Sequence, residues 1–240
     1  MLLVFILGLF LILSGWLFNI WIHAKANLRF SGPVLLVTAH PDDESMFFGP
    51  TLLRCHAEGI PVDLLCFTTG DHDGLGKQRA KELQVAARHL FVRHLEIIDS
   101  PSKFPDDPHK EWSVDAICSH INAICIQRGT KTIITFDAYG VSKHANHCVL
   151  FHAVRRLRGV SVYVLLSVSL LRKYSWICDL FSAVFSARHN LTSTIIYVPL
   201  NLLLKTYSSM LAHRSQLVWF RWLYIYFSIY MFKNTLINLS

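Results

Sequence analysis

The chain has few charged residues and lacks several patterns that would point to particular functions. Only 16% of its 240 residues are charged, and residues 1–22 contain no charged side chain. Its six cysteines form no C-x-x-C pair, so we expect buried free thiols in a reducing compartment rather than a disulfide framework. Because no arginine-rich run or known nucleic-acid module is present, we expect no nucleic-acid partner.

A dinucleotide-binding fingerprint is also missing. Gly70, Gly74 and Gly76 follow a predicted strand, but they do not have the G-x-G-x-x-G spacing, so we expect no nicotinamide cofactor. The formal net charge of +7 instead suits a domain that lies near anionic lipid or binds a phosphorylated substrate.

The uncharged N-terminal segment predicts a membrane anchor. As a helix, residues 1–22 would extend for about 33 Å, which matches the hydrocarbon core of a bilayer. A cleaved signal peptide is the alternative, although the segment lacks a basic start and its apolar run is long for one. Lys25 and Arg29 follow the segment and no basic residue precedes it, so we expect the rest of the chain in the cytosol. A glycan on the Asn190 sequon would contradict this topology, because glycans are added in the lumen.

Alternating apolar patterns predict an α/β domain. We predict strands at 34–38, 62–68, 95–98, 132–136 and 160–166, and helices at 44–58, 77–89, 115–128 and 144–157. This alternation favours a Rossmann-like, mainly parallel sheet with helices on both faces. Residues 100–112 contain three prolines and should form a surface loop.

These patterns divide the chain into four parts. We assign residues 1–23 to the anchor, 24–32 to a linker, 33–214 to the α/β domain and 215–240 to an aromatic helix. That last helix could lie at the membrane interface or pack on the core, and the sequence favours neither.

Ionisable side chains cluster after two of the predicted strands. His40, Asp42 and Asp43 follow the first strand, and His144 and His147 follow the strand at 132–136. Since ligands of open α/β sheets bind beyond the carboxyl ends of the strands, the two groups can meet in one crevice.

Two histidines and one carboxylate are typical ligands of a catalytic zinc ion, although iron(II) or another divalent ion would also accept them. We assign His40, Asp43 and His147 as ligands. Asp42 is then free to act as general base. His144 would stabilise the oxyanion or protonate the departing amine.

A plainer interpretation is that Asp42, Asp43 and Glu44 only complement a helix N-terminus, but it leaves His40 and the second cluster unexplained. Seven further histidines receive no functional role: His56, His89, His94, His109, His120, His152 and His213.

Two motifs carry a resemblance to a known family. "AHPDDE" at residues 39–44, with "HANH" at 144–147, resembles the LmbE-like zinc deacetylases. "TTG" at 68–70, "KQRAKEL" at 77–83, "LLRKYSW" at 170–176 and "SQLVWFRWLYIYFS" at 215–228 extend the likeness to the branch that acts on N-acetylglucosaminyl-phosphatidylinositol. Lys143 stands where that branch often has glycine.

The resemblance implies a zinc-dependent N-deacetylase of GPI-anchor biosynthesis. Its substrate would be the glycolipid N-acetylglucosaminyl-phosphatidylinositol, and its location the endoplasmic reticulum membrane, as a single-pass protein with a cytosolic catalytic domain. The motifs imply the same roles for His40, Asp42, Asp43, His144 and His147. Two alternatives remain, namely a deacetylase of another N-acetylated sugar and a catalytically silent membrane partner in glycolipid assembly.

Arg79 and Glu82 lie one helical turn apart and match a further motif of the family. Arg79 would contact the phosphate or sugar of the substrate. The alternative is a simple ion pair between the two side chains on an exposed helix face.

Overall fold

The domain is built around one twisted sheet. The computed structural model describes residues 8, 14, 28, 30, 32–107, 109–174 and 193–239. Seven strands pair in the order β3-β2-β1-β4-β5-β7-β6. Strands β1 to β5 are parallel, whereas β7 is antiparallel to both β5 and β6. The strands are β1 (Val34–Thr38), β2 (Val62–Cys66), β3 (His94–Ile97), β4 (Thr132–Phe136), β5 (Ser161–Leu165), β6 (Ser193–Tyr197) and β7 (Lys233–Asn238).

Helices cover the sheet in two groups. α3 packs on α8, and α4 packs on α6; right-handed crossovers between parallel strands place these pairs on opposite faces. The helices are α1 (Asp43–Phe47), α2 (Gly49–Ala57), α3 (Gly76–His89), α4 (Val114–Arg128), α5 (Gly140–Lys143), α6 (Ala145–Val154), α7 (Leu170–Tyr174), α8 (Leu203–Ala212) and α9 (Trp219–Phe227). Single 3-10 turns lie at Leu200–Leu202, Arg214–Gln216 and Ile229–Met231.

The predicted α/β class and the mainly parallel sheet are confirmed, but one helix prediction is wrong. The pattern predicted one helix over 44–58, and the structure breaks it at Phe48 into α1 and α2. Pro50 explains the break, because it has no N–H to donate to the carbonyl four residues earlier. It is instead accommodated in the first turn of α2.

Three further sequence predictions concern the membrane, the cysteines and the C-terminus. Among the described residues, no helix has the length and apolarity to cross a bilayer; the predicted anchor at 1–23 falls almost entirely outside them. Five described cysteines are free, and Cys178 lies outside the described residues. Residues 215–240 contain the predicted aromatic helix as α9, followed by β7, which the pattern did not indicate.

Asn234 ties this C-terminal strand to the helices that follow β1. It is completely buried. Its Oδ1 accepts hydrogen bonds from the backbone N–H of Thr51 at 3.1 Å and from the Thr51 hydroxyl at 2.6 Å, and its amide donates to the Phe47 carbonyl at 2.7 Å. The side chain therefore satisfies an N–H in the first turn of α2, which no residue within that helix could reach.

We predict that Asn234→Ala destabilises the fold by about 3 kcal/mol, because it leaves several buried polar groups without a partner. In a chain of this size, that loss lowers the melting temperature by roughly 6 to 12 °C. The measurement is thermal unfolding in detergent, and the control is Asn201→Ala, since Asn201 is exposed and should change stability by less than about 0.5 kcal/mol. Equal melting temperatures for the two variants would contradict this role.

Candidate metal-binding active site

The site lies where the order of the strands reverses. β1 pairs with β2 on one side and with β4 on the other, so the loops that follow β1 and β4 meet beyond the carboxyl ends of adjacent parallel strands. The structure brings together the five side chains predicted to form the centre: His40, Asp42, Asp43, His144 and His147.

Asp43 connects the two loops. Its Oδ2 accepts hydrogen bonds from the backbone N–H groups of Ala39 at 3.0 Å and His40 at 2.9 Å. Its Oδ1 faces the other loop and lies 3.2 Å from Nε2 of His147. Burial raises the pKa of Asp43, but the electrostatic attraction of His147 and His40 and the backbone hydrogen bond from His40 outweigh burial and hold the pKa well below its usual range.

The two ring nitrogens of His147 differ in their hydrogen bonding. Its Nδ1 lies 3.1 Å from the carbonyl of Gly140, to which it donates in the matching tautomer. Its buried Nε2 has no hydrogen-bond donor or acceptor in suitable geometry, and the ring stacks on Phe136 with 3.9 Å between centroids. A histidine fixed through Nδ1, with a free Nε2 aimed into a polar crevice, has the arrangement expected of a metal ligand.

The surrounding donors fit a divalent metal ion. Ligand atoms of His40, His144 and His147 lie within 4.8 Å of one another, and the free oxygen of Asp43 faces the same space. Two sets of three metal ligands are thus available. One consists of the three imidazoles, and in the other Asp43 replaces His144. Both sets contain His40 and His147.

The proline-rich loop contributes Asp106, which the sequence did not single out. Asp106 Oδ1 lies 3.1 Å from Nε2 of His40, a contact typical of carboxylates that orient a ligand histidine. Burial raises the pKa of Asp106, but its hydrogen bond and attraction to His40 lower it to about 2. The pKa of His40 is raised, because Asp106 and Asp43 outweigh the opposing effect of burial.

Asp42 is held in a strained position between two arginines. Its backbone φ of 108° is unusual for a residue other than glycine. Its carboxylate lies 3.2 Å from Nη2 of Arg221 and 3.8 Å from Nη2 of Arg79. The pKa of Asp42 is raised above its usual value. Burial and the negative charge of Asp43 raise it, and they outweigh the attraction of Arg221 and Arg79, which lowers it. Arg221 comes from α9, about 180 residues further along the chain. It lies in the segment 215–228 that carries part of the family resemblance, but the sequence did not indicate its contact with Asp42.

Glu44 and His213 form a buried pair that holds the backbone of Asp42. Glu44 accepts a hydrogen bond from the backbone N–H of Asp42 at 3.1 Å, and its other oxygen lies 2.7 Å from Nε2 of His213. Both side chains are fully buried. No functional role was predicted for His213 from the sequence, and the structure shows that it has a supporting one, because it binds the residue that holds the backbone of Asp42. Its sequence neighbours reveal neither its burial nor its acidic partner.

Arg79 and Glu82 do not pair with each other. Arg79 donates to the carbonyls of Pro41 at 2.7 Å and Gly70 at 3.1 Å, whereas Glu82 accepts hydrogen bonds from the backbone and hydroxyl of Ser215. The simple ion-pair alternative is thus excluded. Arg79 lies at the crevice beside Asp42 and Asp106, and its predicted contact with substrate stays a prediction.

The single turn α5 before His144 is strained as well, and its backbone is not helical at Val141 and Ser142. Lys143 has a φ of 59° and Val141 a φ of 65°, so lysine adopts here the left-handed conformation that glycine would adopt more easily. Gly140 cannot carry a side chain, because a Cβ would lie 2.8 Å from that of His147. Strain of this kind persists only where the surrounding structure fixes it, and it is common at functional sites.

The fold and this cluster together define the class of protein: an α/β enzyme of the LmbE-like deacetylase type. The chain belongs to the PIG-L family, whose model, described as GlcNAc-PI de-N-acetylase, matches residues 35–157.

Curated relatives and a solved structure agree with this assignment. The N-acetylglucosaminyl-phosphatidylinositol de-N-acetylase of Bos taurus is 40% identical over 84% of this chain and 81% of its own length. A probable enzyme of the same name from Schizosaccharomyces pombe is 36% identical over 85% of both chains. The N,N'-diacetylchitobiose deacetylase from Pyrococcus horikoshii shares the fold, with a TM-score of 0.62 at 15% identity over 86% of this chain and 83% of that one.

The buried pair of His213 and Glu44 makes stability depend on pH. Burial lowers the pKa of His213, but Glu44 outweighs burial and raises the pKa above its usual value. The folded state therefore holds this proton more tightly than the unfolded state, so the stabilisation is complete below the ordinary histidine pKa of about 6.5 and is lost as pH rises through the folded-state pKa.

We predict that His213→Gln lowers the free energy of unfolding by about 1.5 to 3 kcal/mol at low pH, the usual contribution of a hydrogen bond to a charged group. The difference from the unaltered chain should shrink as pH rises. Thermal unfolding from about pH 5.5 to about pH 8.5, which brackets the ordinary pKa, measures it. His152→Gln, at an exposed position, is the control. A difference that stays constant over this range would show that His213 contributes only packing.

Proposed function

We propose that this enzyme removes the acetyl group from N-acetylglucosaminyl-phosphatidylinositol, giving glucosaminyl-phosphatidylinositol and acetate, with zinc as its metal. The observation that carries the proposal is the complete set of five polar side chains at the β1/β4 edge in a chain 40% identical to a curated enzyme of that activity. Zinc is supported by the donor set, since imidazole and carboxylate ligands in a three-residue site are typical of catalytic zinc.

We assign His40, Asp43 and His147 as the ligands. Asp43 is favoured over His144 because its pKa is held low, which keeps the carboxylate ionised, and because one oxygen is anchored to the backbone while the other faces His147. A divalent ion at this position would polarise the acetamide carbonyl and lower the pKa of water in the crevice.

Asp42 is the general base. It accepts a proton from the water that attacks the acetamide carbonyl, and it returns that proton to the amine when the C–N bond breaks, so that acetate and the free amine result. Its raised pKa suits both roles, because a base whose pKa is closer to the working pH can also act as the acid. Glu44 and Arg221 fix its backbone and its carboxylate.

His144 is a hydrogen-bond donor to the developing oxyanion. Burial, together with the neighbouring His147 and His40, lowers the pKa of His144 to about 4, so its ring is neutral near pH 7. Its buried Nδ1 has no partner among the described residues. A neutral imidazole donates a hydrogen bond to the oxyanion but does not supply the full proton that the leaving amine needs.

The proposed location is the endoplasmic reticulum membrane, with residues 1–23 as the anchor and the catalytic domain in the cytosol. The anchor and its orientation are supported by the uncharged N-terminal sequence and by Lys25 and Arg29 after it, whereas the choice of organelle rests on the resemblance to the branch that acts in GPI-anchor biosynthesis.

Acetate release tests the proposal directly. Membranes that contain the chain should release acetate from N-acetylglucosaminyl-phosphatidylinositol, lose this activity after chelation and regain it with zinc. Asp42→Asn should lower turnover by roughly 100- to 10,000-fold, the usual contribution of a general base, while the metal content is unchanged. Asparagine is suitable because it tolerates positive φ.

Asp115→Asn, on an exposed ion pair of α4, is the matched control and should retain full activity. Turnover preserved in Asp42→Asn would exclude Asp42 as the base. If N-acetylglucosamine without the phosphatidylinositol group is processed equally well, the lipid is not part of the substrate.

Metal content separates the two possible ligand sets. We predict that Asp43→Ala weakens metal binding by about 100-fold or more. Loss of a residue that contacts a ligand but not the metal typically weakens binding by only about 10- to 100-fold. His144→Ala should bind metal normally and lose activity. Metal analysis of the two purified variants, each checked for folding by thermal unfolding, gives the answer. Loss of metal in His144→Ala with retention in Asp43→Ala would assign the three-imidazole set instead.

A further inference from the structure

Helix α9 has two faces of different character. Tyr224 and Ile225 are buried, and the Tyr224 hydroxyl donates to the carbonyl of Met46 in α1 at 2.6 Å. The opposite side of the helix is exposed and apolar. We call it the aromatic face, and it consists of Trp219, Phe220, Trp222, Leu223, Tyr226 and Phe227.

The spacing shows that these residues form one continuous surface. Positions 219, 223 and 226, and positions 220, 223 and 227, follow the three- and four-residue spacing of a single helix side. Trp219 is 76% exposed and Tyr226 57%. Large exposed apolar patches mark sites that contact a partner or a membrane.

The charge and composition of this part of the chain favour a lipid surface over a protein partner. Residues 193–240 contain no aspartate or glutamate, and two of their basic residues, Lys205 and Arg214, are at least partly exposed. Basic segments are attracted to anionic phospholipids, and tryptophan and tyrosine accumulate at the headgroup level of bilayers. The apolar, uncharged residues 1–22 would hold the domain beside the same membrane.

We propose that the aromatic face docks into the headgroup region of an anionic phospholipid bilayer and thereby places the crevice at the membrane surface. The buried side of the same helix carries Arg221, which binds the carboxylate of Asp42. The aromatic face therefore lies one helix diameter from the proposed base. The effect on turnover rests on the proposed function, whereas the lipid contact itself does not.

Site-specific photo-crosslinking in the full chain tests the contact. Trp219→p-benzoylphenylalanine, reconstituted in vesicles of phosphatidylcholine and phosphatidylinositol, should form lipid adducts detectable by mass spectrometry. The matched control is Ile126→p-benzoylphenylalanine. Ile126 is apolar and 84% exposed, but it lies on α4, on the other face of the sheet, so it should form none.

This comparison separates docking from simple anchoring, because both variants share the same N-terminal segment and the same membrane. No lipid adduct at position 219, equal adducts at 219 and 126, or crosslinks at 219 to a second copy of the chain would each overturn the proposal. Crosslinking does not require catalysis, so its result can be interpreted even if the proposed deacetylase activity is not found.

Turnover supplies the second measurement. Trp219→Gln with Leu223→Gln should lower activity on bilayer-embedded substrate by about tenfold, a loss of about 1.4 kcal/mol. Activity on a short-chain, water-soluble substrate should be unchanged, because neither side chain contacts the crevice. Ile126→Gln should leave both activities unchanged. An equal loss on both substrates would mean that the face stabilises the fold rather than contacts lipid.

Discussion

The two oxygens of Asp43 hold the active site together. One oxygen accepts hydrogen bonds from two backbone N–H groups of its own loop. The other oxygen faces His147, which follows β4. Because β1 and β4 are adjacent parallel strands, this single carboxylate joins the two halves of the site at the point where the strand order reverses. The strain at Asp42 and Val141 is tolerated because both loops are fixed by such contacts.

Two neighbouring carboxylates acquire opposite properties from their surroundings. Asp43 receives backbone hydrogen bonds and lies beside histidines, so its pKa is lowered. Asp42 is buried beside a negative neighbour, so its pKa is raised despite two arginines. Divergent pKa values in one site are how proteins give a pair of acidic groups different tasks. Here the low pKa suits a permanently ionised ligand, and the raised pKa suits a group that takes up and returns a proton.

The sequence predicted the side chains at the centre of the site better than the surrounding side chains that hold them in place. Residues near β1 and β4 were identifiable because the motifs are local and the strands are strongly apolar. The contacts of Asp106, His213 and Arg221 were not, because each side chain reaches the centre from a segment distant in sequence, and the pattern of that segment does not show where it packs. Strand β7 was missed for a related reason: its polar Lys233, Asn234 and Thr235 lack the apolar alternation of a strand, and Asn234 is buried only through partners almost two hundred residues away.

The C-terminal part of the chain therefore belongs to the active site as much as to the fold. The family match covers residues 35–157, which include every predicted ligand and the proposed base. Several groups that support the site come from outside that range: Arg221 binds the carboxylate of Asp42, His213 binds Glu44, and Asn234 supports the first turn of α2. A common core can thus supply the deacetylation chemistry, while segments outside it fix the surroundings of Asp42. In this chain α9 both binds the carboxylate of Asp42 and carries the exposed aromatic side chains, so one helix sets the environment of the proposed base and part of the outer surface.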